Sequence, residues 1–359
     1  MKVLQLGKFY PIVGGVEKVM WELTEGLGRS GIDCDMLCAS ETPQVIKIGE
    51  HSRCICVKAL FKAAATMISP AMIFYLRRHC AEYDIIHIHH PDPMAALALR
   101  LSGYKGKVVL HWHSDIIKQR FLLKFYLPLQ SWVVSCSRVI VGTSPIYVKE
   151  SPFLQGVQEK LTYLPIGMDP VPELDVEPGE CKTVFSFGRL VGYKGYEYLV
   201  KAAKFLPDNY RVVIGGEGPL RNELEELVKA EGLEAKVSLP GRIPQEKIPE
   251  MFANCSVFCL SSIWKTEAFG IVQIEAMSCG KPVVATKIPG SGVSWVNEHG
   301  YSGLNVEPCN PKALADAIMQ ITDEPETYKR YCRNAKERYK ALFTKEAMIK
   351  KCIEIYNIL

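Results

Sequence analysis

Two carboxylates, Glu267 and Glu275, bracket the segment Thr266 to Ala276, TEAFGIVQIEA, with Gly270 between them. That spacing suits a loop turning into a helix whose amino end meets a ligand. Glycine permits close backbone approach, and the free N–H groups of a helix start attract phosphate. The carboxylates are then left to grip hydroxyl groups, as sugars require. The same residues also fit a plain helix, with Ile271, Ile274 and Ala276 in a core and both acids in solvent. Upstream, Arg189 and Lys194 follow the apolar run Val184 to Phe187, at its carboxyl end, where ligands lie in open parallel sheets. Cations at that place could hold an anionic ligand and stabilise negative charge that develops on it during a reaction. As loop cations they would only be solvated.

The elements that must position these residues alternate short apolar runs with longer amphipathic segments, the pattern of parallel sheets wrapped by helices. Strands are predicted at Val3 to Leu6, Cys34 to Leu37, Ile85 to His89, Val108 to His111 and Arg138 to Val141, then at Val184 to Phe187, Arg211 to Gly215, Val237 to Leu239, Val257 to Leu260 and Pro282 to Ala285. Apolar spacing of three and four predicts helices at Gly15 to Arg29, Leu220 to Glu231 and Pro311 to Ile321. The chain therefore reads as two doubly wound α/β units, with the boundary in the proline-rich stretch Pro165 to Gly179. The domains are placed at 1–168 and 169–344, and the last segment, 345–359, reads as a helix.

A length of 359 residues suits two domains of roughly 150 to 180 residues each. The 13 cysteines are scattered without a CxxC pair, and Cys54 and Cys56 stand on one strand where they cannot bridge each other, so a reducing, cytoplasmic compartment with buried thiols is expected. The start, Met1 to Leu6, reads as a buried strand rather than a signal peptide, and no apolar run is long enough to predict a membrane span. The net charge of +4 is uneven: residues 1–170 hold 19 Lys and Arg against 14 Asp and Glu, leaving 24 against 25 in the remainder. That bias suits an anionic membrane surface or a phosphorylated acceptor. Between Lys118 and Leu127, KQRFLLKFYL mixes cations with rings, which fits either an interfacial helix or a helix packed on the sheet.

Seven of the eight histidines lie in the first half. His87, His89, His90 and Asp92, and again His111, His113 and Asp115, imitate metal clusters, but strand alternation puts His90 on the face opposite His87 and His89. Gly14 and Gly15 follow the first strand and open a helix, without the GxGxxG spacing of a dinucleotide site, so hydride transfer is a poor reading.

Phe187-Gly188-Arg189-Leu190, Tyr193-Lys194-Gly195, Gly215-Gly216-Glu217-Gly218-Pro219, the TEAFGIVQIEA segment and Gly280 to Thr286 together resemble the retaining glycosyltransferases of the GT-B fold, family four, over nearly the whole chain. The run from Gly7 to Pro11 through Val293 looks most like bacterial enzymes of O-antigen and surface polysaccharide synthesis. The resemblance implies two Rossmann-like domains facing a central cleft, the first on the acceptor side and the second binding the donor, with the terminal helix returning to the first. It implies a nucleotide-sugar donor, foremost GDP-mannose, with UDP- and dTDP-sugars as alternatives. The acceptor would be a glycan or an undecaprenyl-diphosphate-linked sugar at the inner face of the cytoplasmic membrane. No nucleic acid, bound metal or other cofactor is expected. Arg189 and Lys194 would hold the diphosphate, Glu267 the transferred sugar and Glu275 the ribose. The amides near Phe269, Gly270 and Ile271 would lie close to the diphosphate, and the loop of Gly14 and Gly15 would face it. Gly216 and Glu217 would border the nucleotide, Arg242 the base, and His113 the reacting sugar. A sugar-nucleotide binding protein without catalysis is the alternative of another class.

Overall fold

A computed structural model describes residues 1–63, 66–116, 120–174 and 181–359. The chain divides into two compact units, residues 1–167 with 345–359, and residues 168–344.

The first unit is built on an eight-stranded sheet, with a short hairpin beside it. Its strands are β1 (Lys2–Tyr10), β2 (Asp33–Ser40), β3 (Gln44–Lys47), β4 (Ser52–Lys58), the hairpin β5 (Phe61–Ala63) and β6 (Thr66–Ile68), β7 (Ile85–His90), β8 (Lys107–Trp112), β9 (Val139–Gly142) and β10 (Leu161–Tyr163). The sheet order is β10-β9-β8-β7-β1-β2-β4-β3, parallel except for β3. β7, near the centre of the sheet, is buried at every residue although three of its six are histidines, which therefore need buried partners. The helix Gly15–Arg29 turns Val19, Met20, Leu23 and Leu27 inward at spacings of one, three and four. Against it lies the helix Lys345–Asn357, whose Met348, Ile349, Cys352, Ile355 and Tyr356 join Val3, Ile85 and Val109 in one core. A side chain at Gly26 would collide with Ile349, so this glycine sets how closely the two helices approach.

The second unit holds β11 (Lys182–Phe187), β12 (Tyr210–Gly215), β13 (Val237–Gly241), β14 (Val257–Leu260), β15 (Val283–Thr286) and β16 (Gly303–Val306), all parallel, in the order β13-β12-β11-β14-β15-β16. One face is filled by Val184, Leu199, Val212, Ile214, Val257, Leu314 and Ile318. Both sheets thus run outward from a central strand and then reverse to its other side. In such a sheet the loops at the carboxyl ends of the two strands flanking the reversal diverge and leave a crevice. The reversal falls between β1 and β7 in the first unit and between β11 and β14 in the second.

Candidate active site

The loops leaving β11 and β14 carry the charged groups of the second unit. The Lys194 Nζ donates to Glu267 Oε2 at 2.5 Å, and Ser262 Oγ donates to the same oxygen at 3.0 Å. The side chains of Lys194 and Glu267 are only 10% and 12% exposed. The two loops are tied by backbone as well: Ile263 N–H donates to the Tyr193 carbonyl at 2.8 Å and Ser261 Oγ to the Lys194 carbonyl at 2.9 Å. Arg189 stands at the same end of β11 but is exposed, and it makes no ion pair with any described residue. One cation is thus pre-positioned and neutralised by a carboxylate, and a second is free to meet an anion.

The helix Ile271–Ser278 begins at Gly270, whose φ of 74° is left-handed and whose missing Cβ leaves room for Gln273 Nε2 and Leu260 Cδ2, 2.7 and 2.8 Å from where it would sit. The loop before it is pinned from behind. Ser291 Oγ donates to the Glu267 carbonyl, Gly292 N–H donates to the Ala268 carbonyl at 2.9 Å, and the buried ring of Phe269 packs edge-on against Phe343. Ile271 opens the helix half-buried, and Glu275 follows one turn later, also half-buried. Gln273 is fully buried, and its Nε2 donates to the Phe269 carbonyl at 3.0 Å.

Three further residues expected at the nucleotide, Gly216, Glu217 and Arg242, stand just after β12 and β13. Gly216 has φ 140° and its Cα sits against the Gly188 carbonyl, so its glycine is required by loop-on-loop packing whether or not a ligand passes. The Glu217 carboxylate accepts from Arg221 at 2.8 Å, one turn along the chain, and Arg242 is exposed. The structure therefore brings Lys194 and Glu267 together, flanks them with Arg189 and the start of the Ile271–Ser278 helix, and pairs Glu217 with Arg221.

In the first unit, the last residues of β1 meet the loop after β7. Lys8, in a left-handed backbone conformation with φ 60°, gives its N–H to the Asp92 carboxylate and its Nζ to the Pro91 carbonyl at 2.6 Å. Asp92 also caps the helix Pro93–Ser102 by accepting from Met94 and Ala95. Gly14 caps the helix Gly15–Arg29 with an extended backbone, Gly15 is its exposed first residue, and the space a Gly14 side chain would need is filled by the Glu17 carboxylate.

His113 follows β8 directly and ends a line of buried polar groups. The Tyr356 hydroxyl is bonded to His87 Nδ1 at 2.6 Å and accepts from Gln5 Nε2 at 3.1 Å. Gln5 Oε1 is bonded to His89 Nε2 at 2.7 Å, and His89 Nδ1 to His113 Nε2 at 2.8 Å. Burial, reinforced by the neighbouring rings and Lys8, pushes His89 and His113 well below the usual imidazole pKa, so both are neutral. An amide oxygen only accepts, so His89 carries its proton on Nε2 and offers the lone pair of Nδ1. His113 must then donate from Nε2. Its Nδ1 is left as a lone-pair nitrogen, and no described residue occupies it.

The apparent metal clusters separate accordingly. His90 lies on the other face, stacked on Trp112 at 3.8 Å, and Asp115 accepts from Trp112 Nε1 at 2.9 Å and Ser151 Oγ at 2.7 Å. His87, His89 and His111 each bring one nitrogen within 4.8 Å of the others, but both His89 nitrogens are already bonded. His111, pushed down to about 3 by burial, stacks on His113 at 3.9 Å. Lys118 lies outside the described residues, as do the side chains of Arg120 to Leu122, and no described helix is long and apolar enough to cross a membrane. Ser262, Gln5 and Tyr356 were not expected from the sequence. Only Gln5 left a local signal, as a polar residue inside the apolar run KVLQL.

Comparison with known proteins agrees with this arrangement. Residues 13–171 match the family described as Glycosyltransferase Family 4, and residues 175–338 match Glycosyl transferases group 1. The chain is 31% identical over 373 residues to the O-antigen chain mannosyltransferase C of Escherichia coli, covering 100% of this chain and 99% of that one. It is 34% identical over 359 residues to the D-rhamnosyltransferase WbpZ of Pseudomonas aeruginosa, covering 96% and 92%. The sucrose-phosphate synthase structure from Thermosynechococcus elongatus superposes with a TM-score of 0.77 at 23% identity, over 100% of this chain and 99% of that one. With both family domains in order along it, and relatives of this identity matched over nearly their full length, the chain belongs to the GT-B glycosyltransferases of family four.

Proposed function

We propose that this enzyme transfers a hexose, with retention of configuration, from a nucleotide diphosphate donor to a sugar or lipid-linked oligosaccharide in bacterial surface polysaccharide synthesis, the donor being GDP-mannose. The observation that carries the reading is the Lys194–Glu267–Ser262 cluster at the strand reversal of the second unit, with exposed Arg189 beside it. Arg189 and Lys194 neutralise the diphosphate as it departs, so charge is stabilised where it develops, without a bound metal. Glu267, its outer oxygen already holding Lys194, keeps that ammonium in place and offers its other oxygen to a sugar hydroxyl. Glu275 takes the ribose, and the helix start at Gly270 the phosphate. Gly14 and Gly15 face the diphosphate, and the lone pair on His113 Nδ1 accepts from a hydroxyl of the transferred sugar. Attack occurs on the face the nucleotide leaves, and the leaving phosphate takes the acceptor proton. The acceptor is held by the first unit, which works at the inner face of the cytoplasmic membrane. Rhamnosyl transfer is the second reading, favoured by the 34% identical relative.

The test is a thermal-shift titration with GDP-mannose, GDP, UDP-glucose, UDP-galactose, UDP-N-acetylglucosamine and dTDP-rhamnose, repeated on Arg189→Ala and Lys194→Ala. Arg189 is the cleaner probe, because its removal breaks no ion pair. A donor that stabilises the parent and neither variant identifies the base and places the diphosphate. Equal stabilisation of parent and variants, or none by any nucleotide, refutes the assignment. Slow release of free sugar from the stabilising donor distinguishes a transferase from a protein that only binds.

A further inference from the structure

β2 and β4 are parallel neighbours with Met36 opposite Cys54 and Cys38 opposite Cys56. Because side chains alternate along a strand, these four share one face of the sheet. The charged pair Asp35 and Arg53, bonded at 2.9 Å, occupies the other. The helix Gly15–Arg29 covers the cysteine face and adds Met20, so every fully enclosed member of this cluster, Met20, Met36, Cys38, Cys54 and Cys56, carries sulfur. The three Sγ atoms form a nearly equilateral triangle: 3.6 Å from Cys38 to Cys54, 3.7 Å from Cys54 to Cys56 and 3.8 Å from Cys38 to Cys56. None of them is in a disulfide.

Sulfurs bound to one metal by bonds of about 2.3 Å in tetrahedral geometry lie about 3.8 Å apart, so the triangle can receive an ion with little movement. The ligand set decides which ion. Thiol and thioether without nitrogen or oxygen select soft ions, copper(I) foremost. The methionines point the same way, because zinc takes thiolate, imidazole and carboxylate ligands, whereas thioether suits copper(I).

We propose that Cys38, Cys54 and Cys56 bind one copper(I) ion, enclosed by the thioethers of Met20 and Met36. On binding, each thiol that bonds the ion loses its proton to solvent, a copper–sulfur bond replacing its S–H bond. The other sulfurs donate lone pairs, and copper enters and stays as copper(I), so no electron is transferred. The ion would fasten β4 to β2, and both to the helix that opens at Gly14 and Gly15.

The experiment uses the full chain, reduced and anaerobic, with the exposed Cys136 and Cys309 replaced by serine to remove competing thiols. Copper(I) is supplied from a coloured chelator in competition. One equivalent should be withdrawn, X-ray absorption should show sulfur neighbours alone, and the melting temperature should rise. Cys56→Ser, which changes one atom, and a Cys38→Ala/Cys54→Ala variant should weaken retention by at least about tenfold, the lower end of what even an outer-shell change costs. Circular dichroism shows whether each variant is folded, and the Cys56→Ser result stands alone if the double variant is not. Failure to withdraw copper from the chelator, equal retention by folded Cys56→Ser, or nitrogen neighbours that place the ion on the histidines would each overturn the proposal.

Discussion

Replacing Lys194 by Met tests whether its ion pair organises the second unit's site or only decorates it. The two side chains are 10% and 12% exposed and meet at 2.5 Å, so the carboxylate left behind is nearly enclosed. Breaking a buried pair from one side costs about 3–5 kcal/mol. The lower figure applies here, because Ser262 still donates to Glu267 at 3.0 Å. Glu267→Gln keeps an acceptor for Lys194 and should cost about 1.5 kcal/mol, the loss of charge from one hydrogen bond. The double variant strands no charge, so it should lose about 2 kcal/mol rather than the additive 4.5, a coupling of about 2.5 kcal/mol. The assay is urea unfolding followed by hydrogen exchange on peptides covering β11 and β14, so that the second unit is followed separately. Single losses that add to within about 0.5 kcal/mol in the double variant would refute the coupling. Donor-induced stabilisation should vanish in all three variants, whatever their stability.

Other expectations concern the first unit. Tyr356→Phe should leave the Gln5 amide free to turn and mix the His89 and His113 tautomers, read as a change in the imidazole ¹⁵N shifts of His113. Unchanged shifts would disconnect the relay. His87, His89, His90, His111 and His113 are all held below their unfolded pKa of about 6.5, so each is neutral when folded and takes up a proton on unfolding. Stability from this source is therefore full above about pH 6.5 and falls with acid, by up to about 1.4 kcal/mol per pH unit for each histidine. Far-ultraviolet circular dichroism with peptide-resolved hydrogen exchange should show the first unit opening before the second between about pH 6.5 and 4. Gly26→Val should overpack the contact with Ile349 and cost about 1–3 kcal/mol in urea unfolding, with no change expected if the helix Lys345–Asn357 can shift outward freely.

Much of this was readable along the chain. Each apolar run expected to be a strand lies within or across one, and the helix at 15–29 has the predicted limits, because a strand enclosed on both faces and a one-sided helix each write their period into sequence. The helix Pro325–Leu342 escaped, since Tyr331, Ala335 and Tyr339 are its only buried residues among many charges. The pairing of Lys194 with Glu267 also escaped, though both were candidates, because 73 residues separate them and only the adjacency of β11 and β14 unites them. The pairing of Glu217 with Arg221 is local by contrast, one helical turn apart, and the i,i+4 spacing alone could have suggested it. The tautomer of His113 depends on Tyr356, which no local pattern could connect to it.

The helix that joins the first unit's core is made after the whole of the second unit. On the ribosome, residues 1–167 emerge first yet lack the cover over Val3, Ile85 and Val109, and the hydroxyl that Gln5 and His87 require. The 177 residues from 168 to 344 are continuous and take roughly 10–35 s to make at usual synthesis rates. The usual amino-terminal-first order is thus inverted: the later unit can finish first, while the earlier one waits with an uncovered apolar stripe. During that interval the nascent chain is a natural client for chaperones. A released fragment ending at residue 344 should show one protease-resistant unit, the second, and one still open to cleavage.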